Sequence, residues 1–198
     1  MSYNIEYNTK EILILVIENT LKMLSKRKLF NYNDIESYLK NINDSKNIFE
    51  IKLNDNSLCG IYLLNIPITT IISGTPLDEY LSENINVHKI LIAKSVSKKV
   101  VKQLYQEYKN VEFFFEYEML EDKSSISFIP EHRILSKEEL SHLHIEEYSY
   151  LKLFDPMVRY HNGKLGDVFE IIRPSFVAGY SIEYKKVITG NSDIMFPN

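Results

Sequence analysis

Hydrophobic residues recur at three- and four-residue spacing from Thr9 to Lys26, which predicts an amphipathic helix near the start of the chain. After it, Asn33 or Asp34 is expected to cap a second helix that runs to about Leu39, because short polar side chains accept hydrogen bonds from the first free amides of a helix. The apolar stripe of the first helix consists of Ile12, Leu13, Val16, Ile17, Thr20, Leu21 and Leu24.

Strand patterns then alternate with helical ones. Thr75 is expected to cap a short helix that runs through Leu81, with Pro76 in its first position. The segment Ser97–Tyr108 carries apolar residues at helical spacing and predicts a longer helix. This alternation indicates an α/β layer in the N-terminal part of the chain. The predicted strands are Asn47–Leu53, Leu58–Asn65, His88–Ala93 and Val111–Tyr117.

The pattern changes after the polar stretch Glu121–Ser125, which we interpret as a linker between two domains. Beyond it, Ser136 and Glu139 form a capping box that opens a helix. A second short helix is expected at Ile145–Tyr150. Two further strands are predicted, at Val168–Ile172 and Tyr180–Ile188.

Turns and a polar tail complete this second part. An Asp-Pro turn is expected at Asp155 and Pro156, and a glycine-bearing turn at Asn162 and Gly163. The tail Thr189–Asn198 is polar and is expected to be loosely held. The sequence therefore predicts an α/β (α+β) protein, with an N-terminal α/β domain of residues 1–124 and a small C-terminal α+β domain of residues 125–198.

Composition and charge narrow the function. The chain has 198 residues, of which 44% are hydrophobic, so it can build a core. Its formal net charge of −4 excludes a free-standing electrostatic binder of nucleic acid, because such binding neutralises phosphates with Lys and Arg. Any contact with nucleic acid must therefore use a local patch or rely on partner proteins.

The single cysteine, Cys59, excludes an intramolecular disulfide and a cysteine-rich zinc site, which is typical of a reducing, intracellular compartment. It lies in an apolar run and is interpreted as a buried small hydrophobe, since no sequence signature supplies the base that a nucleophile needs. No apolar run approaches the roughly 20 residues that span a bilayer. We expect neither a signal peptide nor a membrane partner.

Three groups of residues could carry chemistry. The first is nuclease-like: Glu50 and Lys52 share one face of a predicted strand, with Asp44 shortly upstream. Carboxylates that hold Mg²⁺ and a lysine that stabilises charge are what phosphodiester cleavage requires. The simpler interpretation, an exposed Glu/Lys pair on a strand, is favoured because the spacing alone is common.

The second group is a set of histidines, His132, His142 and His144. A zinc site needs ligands that converge, whereas His142 and His144 are two apart on a predicted helix and would point in different directions. Surface or partly buried histidines are therefore favoured, and no metal, cofactor or small-molecule substrate is predicted. The carboxylates near these histidines are Glu138, Glu139, Glu146 and Glu147.

The third group is a basic loop and helix start. The stretch from Lys94 to Lys109 holds five lysines against one glutamate, Glu107, which gives a local charge of +4. Small hydroxyls at a helix N-terminus, backed by lysines, suit a phosphate backbone. On local grounds a solvated helix face is favoured over a binding site.

The C-terminal stretch resembles the assembly module of the fifth subunit of eukaryotic-type DNA-dependent RNA polymerases, a family with archaeal counterparts. The resemblance covers about 60 residues and rests on many separated positions in the same order. These are Phe128 to His132, Leu135, Ser136, Glu138, Glu139, Asp155, Pro156, Arg159, Tyr160, Gly163, Gly166, Ile172, Arg173, Ser175, Ala178, Gly179 and Tyr184.

The resemblance implies a non-catalytic subunit whose C-terminal domain docks on the largest polymerase subunit. It also implies an N-terminal jaw domain with restriction-endonuclease-like topology near downstream duplex DNA. DNA-proximal residues would be Ser95, Ser97, Lys98, Lys99 and Lys102. Arg159 and Arg173 would be the main anchors of an interface that comprises Pro130, Glu131, His132, Asp155, Pro156, Arg159, Tyr160, Gly163, Gly166, Arg173, Ser175 and Gly179.

Several positions depart from the family pattern. Tyr148–Leu151 replaces a Leu-Pro-Arg-Ile stretch, Phe176 and Val177 replace Glu-Thr, and Tyr180 and Lys185 each replace an Arg. This divergence, with an Asn-, Lys-, Ile- and Tyr-rich composition, indicates a polymerase encoded by a large DNA virus. Such a protein would act in the virion or a host cytoplasmic factory, and a cellular one in the nucleus. The alternative function is a Mg²⁺-dependent nuclease that uses Asp44, Glu50 and Lys52.

Overall fold

The computed structural model describes residues 9–43, 46–143, 149–175 and 177–196. They form two compact units, which divide between Asp122 and Lys123. Unit 1 comprises residues 1–122 and unit 2 residues 123–198. Each unit contains a four-stranded sheet of its own. The chain thus has the mixed α/β character that the sequence predicts.

Unit 1 begins with the predicted helix, α1 (Thr9–Lys26), whose buried face includes Val16, Ile17, Leu21 and Leu24. None of the described helices is long and apolar enough to cross a membrane. The apolar stripe of α1 is instead buried within unit 1, where Leu21 is fully inaccessible to solvent.

The second helix, α2 (Ile35–Lys40), follows a single 3-10 turn at Tyr32–Asp34. Asp34, one of the two predicted caps, occupies the N-cap position of α2, but its side chain makes no capping hydrogen bond. The 3-10 turn has a cap of its own, because the side chain of Asn31 accepts a hydrogen bond from the amide of Asn33 (3.1 Å).

The sheet of unit 1 has the order β1-β2-β3-β4. The first two strands are antiparallel, and the last three run parallel. All four were predicted, although the last one ends at Phe115 and the following residues Glu116 and Tyr117 enter a 3-10 turn. The strands are β1 (Ile48–Lys52), β2 (Leu58–Leu64), β3 (His88–Ala93) and β4 (Val111–Phe115).

Two helices connect the parallel strands. The first is α3 (Pro76–Ser82), which Thr75 caps as predicted by accepting a hydrogen bond from the amide of Asp78 (3.4 Å). The second is α4 (Lys98–Glu107), capped by Ser97. Parallel strands that are joined by helices are covered on their faces, and β3 accordingly is buried along nearly its whole length.

A buried lysine secures the end of α3. The Lys89 side chain donates hydrogen bonds to the carbonyl oxygens of Tyr80, Leu81 and Glu83. Because the carboxyl end of a helix carries partial negative charge, an ammonium group is stabilised there. Lys89 is only 4% exposed, and this burial lowers the pKa of its ammonium group.

The sheet of unit 2 has the order β5-β7-β8-β6. The two long central strands form an antiparallel hairpin, and both contain the predicted strand segments. The two short edge strands were not predicted; one pairs antiparallel with β7 and the other parallel with β8. The strands are β5 (Glu131–Ile134), β6 (Ser149–Lys152), β7 (Val168–Ser175) and β8 (Gly179–Ile188).

Unit 2 contains two short helices in its described part. The first, α5 (Lys137–His142), begins with the predicted capping box between Ser136 and Glu139. The predicted Asp-Pro turn is the start of the second helix, α6 (Pro156–Tyr160), because the Asp155 side chain accepts a hydrogen bond from the amide of Met157 (2.9 Å).

Two other predictions for unit 2 need correction. The helix predicted at Ile145–Tyr150 is wrong at its end, where Ser149 and Tyr150 belong to β6. Its other positions, together with His144, Glu146 and Glu147, lie outside the described residues. The tail is not loosely held throughout, because a 3-10 turn at Ser192–Met195 buries Met195 to 5% exposure.

One face of the second sheet carries the core of unit 2. Val158 of α6 packs against Phe169 and Ile171 of β7 and Val187 of β8. Ile134, Leu151 and Leu153 pack around this centre. We call this side of the sheet the core face and the opposite side the open face.

Candidate functional sites

The basic loop predicted in unit 1 is joined to a neighbouring loop by hydrogen bonds. The amide of Ile68 donates to the carbonyl of Ser95 (2.9 Å), and the amide of Ser97 donates to the carbonyl of Ile68 (2.9 Å). The Ser97 hydroxyl donates to the carbonyl of Thr69 (2.9 Å) and accepts from the amide of Val100 (3.4 Å). Ser97 therefore positions the loop and caps α4, and its hydroxyl donor is already occupied.

The lysines in the first part of α4 face solvent. Lys98, Lys99 and Lys102 are exposed in the first turn and a half of α4, and Ser95 is exposed just before it. Lys94 lies 3.9 Å from Glu116, so part of its charge is balanced locally. A cluster of ammonium groups at a helix N-terminus suits phosphate oxygens, and such contacts position a duplex without reading its sequence.

The second candidate site is the polar edge of unit 2, which lies on the core face beyond the apolar core. Arg173 follows Phe169 and Ile171 at two-residue spacing on β7, and its side chain is half exposed. Its guanidinium lies 3.7 Å from the carboxylate of Glu183, which also contacts Lys185 (3.1 Å). These side chains form a solvent-facing charged surface.

The two predicted arginine anchors differ in their exposure to solvent. Arg159 is 6% exposed and the adjacent Tyr160 is 3% exposed, so both side chains lie inside unit 2. An anchor must reach its partner, and Arg173 is the accessible member of the pair. The expectation that Arg159 contacts a partner directly therefore loses its basis in this structure.

The three predicted interface glycines have roles within unit 2. A β-carbon at Gly163 would lie 2.8 Å from the ring of Phe169 and 3.0 Å from Val158, so this glycine permits α6 to pack on the sheet. Gly166 and Gly179 have φ angles of +90° and +75°, which favour glycine. A close approach of partner backbone is not needed to explain any of them.

The remaining predicted interface residues are distributed around the same unit. His132 Nδ1 donates to the carbonyl of Pro130 (2.7 Å), and its ring stacks with His161 at a centroid separation of 6.5 Å. Burial lowers the pKa of His132. The hydroxyl of Ser175 accepts a hydrogen bond from the amide of Ala178 (3.3 Å) in the hairpin turn. Two others, Glu131 and Pro156, are exposed.

Of the three predicted histidines, the structure describes His132 and His142, and His144 lies outside the described residues. The ring next to His132 is His161, which sequence reasoning missed, whereas His142 is exposed at the end of α5. In the part of the chain that the structure describes, no group of three or more histidine, cysteine or carboxylate side chains is placed to hold a metal ion.

The nuclease-like residues lie on the exposed side of β1. Glu50 and Lys52 alternate with the buried Phe49 and Ile51, as the simpler interpretation predicts. Both line an open groove of about 1070 Å³. Asp44 lies outside the described residues. Asp34 also lines the described part of this groove.

A buried polar network in unit 1 was missed by the sequence analysis. Arg27 makes a bidentate contact with Glu112 at 2.7 and 2.8 Å. His88 Nε2 lies 2.5 Å from the same carboxylate, and His88 Nδ1 lies 3.7 Å from the thiol of Cys59. No local sequence pattern predicts this network, because its members come from the end of α1 and from three different strands.

The network is not a cysteine-based active site. Cys59 is fully buried, and desolvation raises the pKa of its thiol to about 12. A nucleophilic cysteine needs the opposite, a lowered pKa and access to substrate. Cys59 is a buried small residue, as the sequence indicates.

Comparisons with known proteins match both units. The family model described as RNA polymerase Rpb5, C-terminal domain, matches residues 123–187. DNA-directed RNA polymerase subunit 5 of Acanthamoeba polyphaga mimivirus is 28% identical over 188 residues, which are 88% of this chain and 91% of that protein. The Rpo5 subunit of Thermococcus celer is 42% identical over 66 residues, 30% of this chain and 80% of that protein. The Rpo5 subunit of Metallosphaera sedula is 36% identical over 75 residues, 35% of this chain and 90% of that protein.

Proposed function

Because this chain belongs to the family of DNA-directed RNA polymerase subunit 5, we propose that unit 2 docks it on the largest subunit of a multisubunit polymerase. Unit 1 then lies beside the downstream DNA. As a member of this family the chain is not an enzyme on its own. It is a structural subunit of a nucleotidyltransferase complex, and its partners are other polymerase subunits.

The family match carries the docking part of the proposal. It covers residues 123–187, which lie entirely within unit 2 and include β7 and most of β8. Within this region the polar edge offers an accessible arginine, Arg173, with Glu183 and Lys185 beside it. Arginine is favoured at interfaces because its guanidinium pairs with carboxylates through two hydrogen bonds.

Replacing Arg173 tests the docking role. We expect Arg173→Ala to reduce co-purification of the largest polymerase subunit about tenfold, the loss of one interfacial anchor of roughly 1.4 kcal/mol. The readout is the ratio of the two chains after affinity purification of the full-length subunit. Lys137→Ala, an exposed basic position on α5, is the matched control. An unchanged ratio with Arg173→Ala would contradict the docking role.

The jaw part of the proposal rests on the basic loop. Lys98, Lys99 and Lys102 would contact backbone phosphates of the downstream duplex, with Ser95 beside them, while Ser97 holds the loop in place. The mixed sheet β1–β4 with helices between its parallel strands is compatible with a restriction-endonuclease-like jaw. Contacts of this kind position DNA and carry no sequence information.

The proposal extends to the origin of the polymerase and to the compartment in which it works. Similarity to the mimivirus protein extends over 88% of this chain and so includes unit 1 as well as unit 2. This supports a polymerase encoded by a large DNA virus, which would work in the virion or in a host cytoplasmic factory. A cellular version would work in the nucleus.

A further inference from the structure

The open face of the second sheet is covered at the start of β7, where Val168 is 4% exposed, and is accessible along much of β8 and β6. The strand register places Ile172 opposite Ile182, and Pro174 opposite Tyr180, on this side. On the outermost strand, Tyr150 lies opposite Lys186. The side chains of this face that come from β6 and β8 are Tyr150, Lys152, Tyr180, Ile182, Tyr184, Lys186 and Ile188.

Much of this face is both apolar and accessible. The exposed fractions are 62% for Tyr150, 63% for Tyr180, 46% for Ile182 and 38% for Ile188. Clustered exposure of large apolar side chains marks an interaction surface, whereas single exposed ones are ordinary. Tyrosine in particular is enriched at protein interfaces, because its ring buries apolar area and its hydroxyl still finds a polar partner.

The charges around these residues indicate what covers them. Lys152 and Lys186 are exposed on the β6 and β8 side. On the β5 side, Arg133 is paired with two carboxylates, Glu170 at 2.7 Å and Glu139 at 2.5 Å, so that side carries no excess of positive charge. The apolar strip is thus bordered by lysines on one side. Its complement is an apolar surface with carboxylates opposite Lys152 and Lys186.

We propose that the open face is a second contact of this chain with the polymerase, and that a neighbouring subunit covers it with an apolar surface flanked by carboxylates. The inference rests on the proposed function, because it takes the partner to be a polymerase subunit. It also goes beyond that function, since Arg173 lies on the core face and the open face is the other side of the same sheet. Unit 2 is then held from both sides.

An aspartate in the apolar strip tests the proposal. Ile182→Asp places a charge where an apolar partner must desolvate it, so we expect the yield of co-purified polymerase subunits to drop at least tenfold. Ile85→Asp makes the same change at a 66% exposed isoleucine of unit 1 and should leave the yield unchanged. Thermal unfolding of both purified variants should match the parent chain, because each replaced side chain faces solvent.

A charge reversal gives an independent readout. Lys152→Glu combined with Lys186→Glu should weaken capture of the polymerase subunits, and the loss should shrink as salt concentration rises, because screening removes like-charge repulsion. Parent-like capture by this variant at low salt would overturn the assignment of carboxylates to the partner.

The possible outcomes separate the two proposals. Normal capture by Ile182→Asp with reduced capture by Arg173→Ala would overturn the open-face contact and leave docking through the polar edge intact. Normal capture by both variants would contradict docking through unit 2 altogether. A dimer of the isolated chain that Ile182→Asp dissociates would show that a second copy covers this face, and would also overturn the proposal.

Discussion

At the scale of single residues, the carboxylate of Glu112 is held by two basic side chains. Its side chain is 12% exposed and lies between Arg27 and His88. Burial alone would raise the pKa of this carboxyl group, but the charge of Arg27 and the hydrogen bond from His88 outweigh it and lower the pKa to about 2. The ionised form is therefore stabilised by folding.

We predict that Glu112→Gln lowers the free energy of unfolding at pH 7 by about 3 kcal/mol, because the buried guanidinium of Arg27 then faces a neutral amide in place of a carboxylate. The Arg27 side chain is only 4% exposed and cannot regain hydration by a small movement. Urea unfolding measures the change. Glu79→Gln, at an exposed position of α3, is the control and should cost little. Equal costs for both variants would show that the network contributes nothing.

The same residue sets the direction of a pH dependence. A carboxyl group whose pKa is lower in the folded than in the unfolded chain stabilises the fold above its unfolded value of about 4.5. That contribution is lost as pH falls from about 4.5 to 2. The parent chain should therefore lose stability over this window more steeply than Glu112→Gln does.

At the scale of elements, the contact between α6 and β7 depends on one glycine. A β-carbon at Gly163 would lie 2.8 Å from the ring of Phe169, which is fully buried. We predict that Gly163→Ala destabilises unit 2 by roughly 1–3 kcal/mol through overpacking. Chemical denaturation of the full chain provides the measurement.

Gly166→Ala is the matched comparison. Gly166 has a φ angle of +90° but open space around its α-carbon, so the substitution costs only backbone strain of about 1 kcal/mol. The predicted order is that Gly163→Ala costs more than Gly166→Ala. The reverse order would mean that the core around Phe169 relaxes more easily than its burial indicates.

The elements that the sequence predicted well have a complete local signal. The helix α1 has an apolar stripe over 18 residues, and β1 alternates between exposed and buried positions throughout. The strand β6 has only four residues, mostly exposed, and its pairing with residues 185–188 of β8 is far away in sequence. Nothing in the Ser149–Lys152 segment encodes that partner, so local reasoning could not find it.

Some features of the candidate sites could be predicted from local sequence and others could not. The lysines of α4 could be predicted because a helical pattern and a charge count place them on an exposed face. The burial of Arg159 and the occupied hydroxyl of Ser97 could not, because each depends on contacts with residues distant in sequence. The network around Glu112 joins the end of α1 to β2, β3 and β4, and for that reason it has no local signature.

At the scale of the whole molecule, the proposed tasks fall on separate units. The net charge of −4 requires any contact with DNA to be local. The exposed lysines of α4 belong to unit 1, whereas the family match falls within unit 2. A change in the lysines should therefore affect DNA handling without affecting assembly.

We predict that Lys98→Glu combined with Lys99→Glu reduces transcription by the assembled polymerase several-fold at physiological salt, because each reversal replaces attraction to a phosphate by repulsion. The ratio of polymerase subunits should stay unchanged. Lys40→Glu combined with Lys46→Glu changes the net charge equally at other exposed positions of unit 1 and is the control. Full activity of the first variant would remove the basis for DNA contact by this loop.

The burial of Cys59 makes it possible to label the chain at a chosen position and to follow its assembly with other polymerase subunits. The chain's one thiol is inaccessible, and its pKa is about 12, so maleimide reagents at neutral pH should leave it untouched. Val177, at the tip of the β7–β8 hairpin, is 99% exposed. A Val177→Cys chain would therefore accept a single fluorophore next to both faces of the second sheet without removal of the native thiol, and could report the arrival of a polymerase subunit in real time.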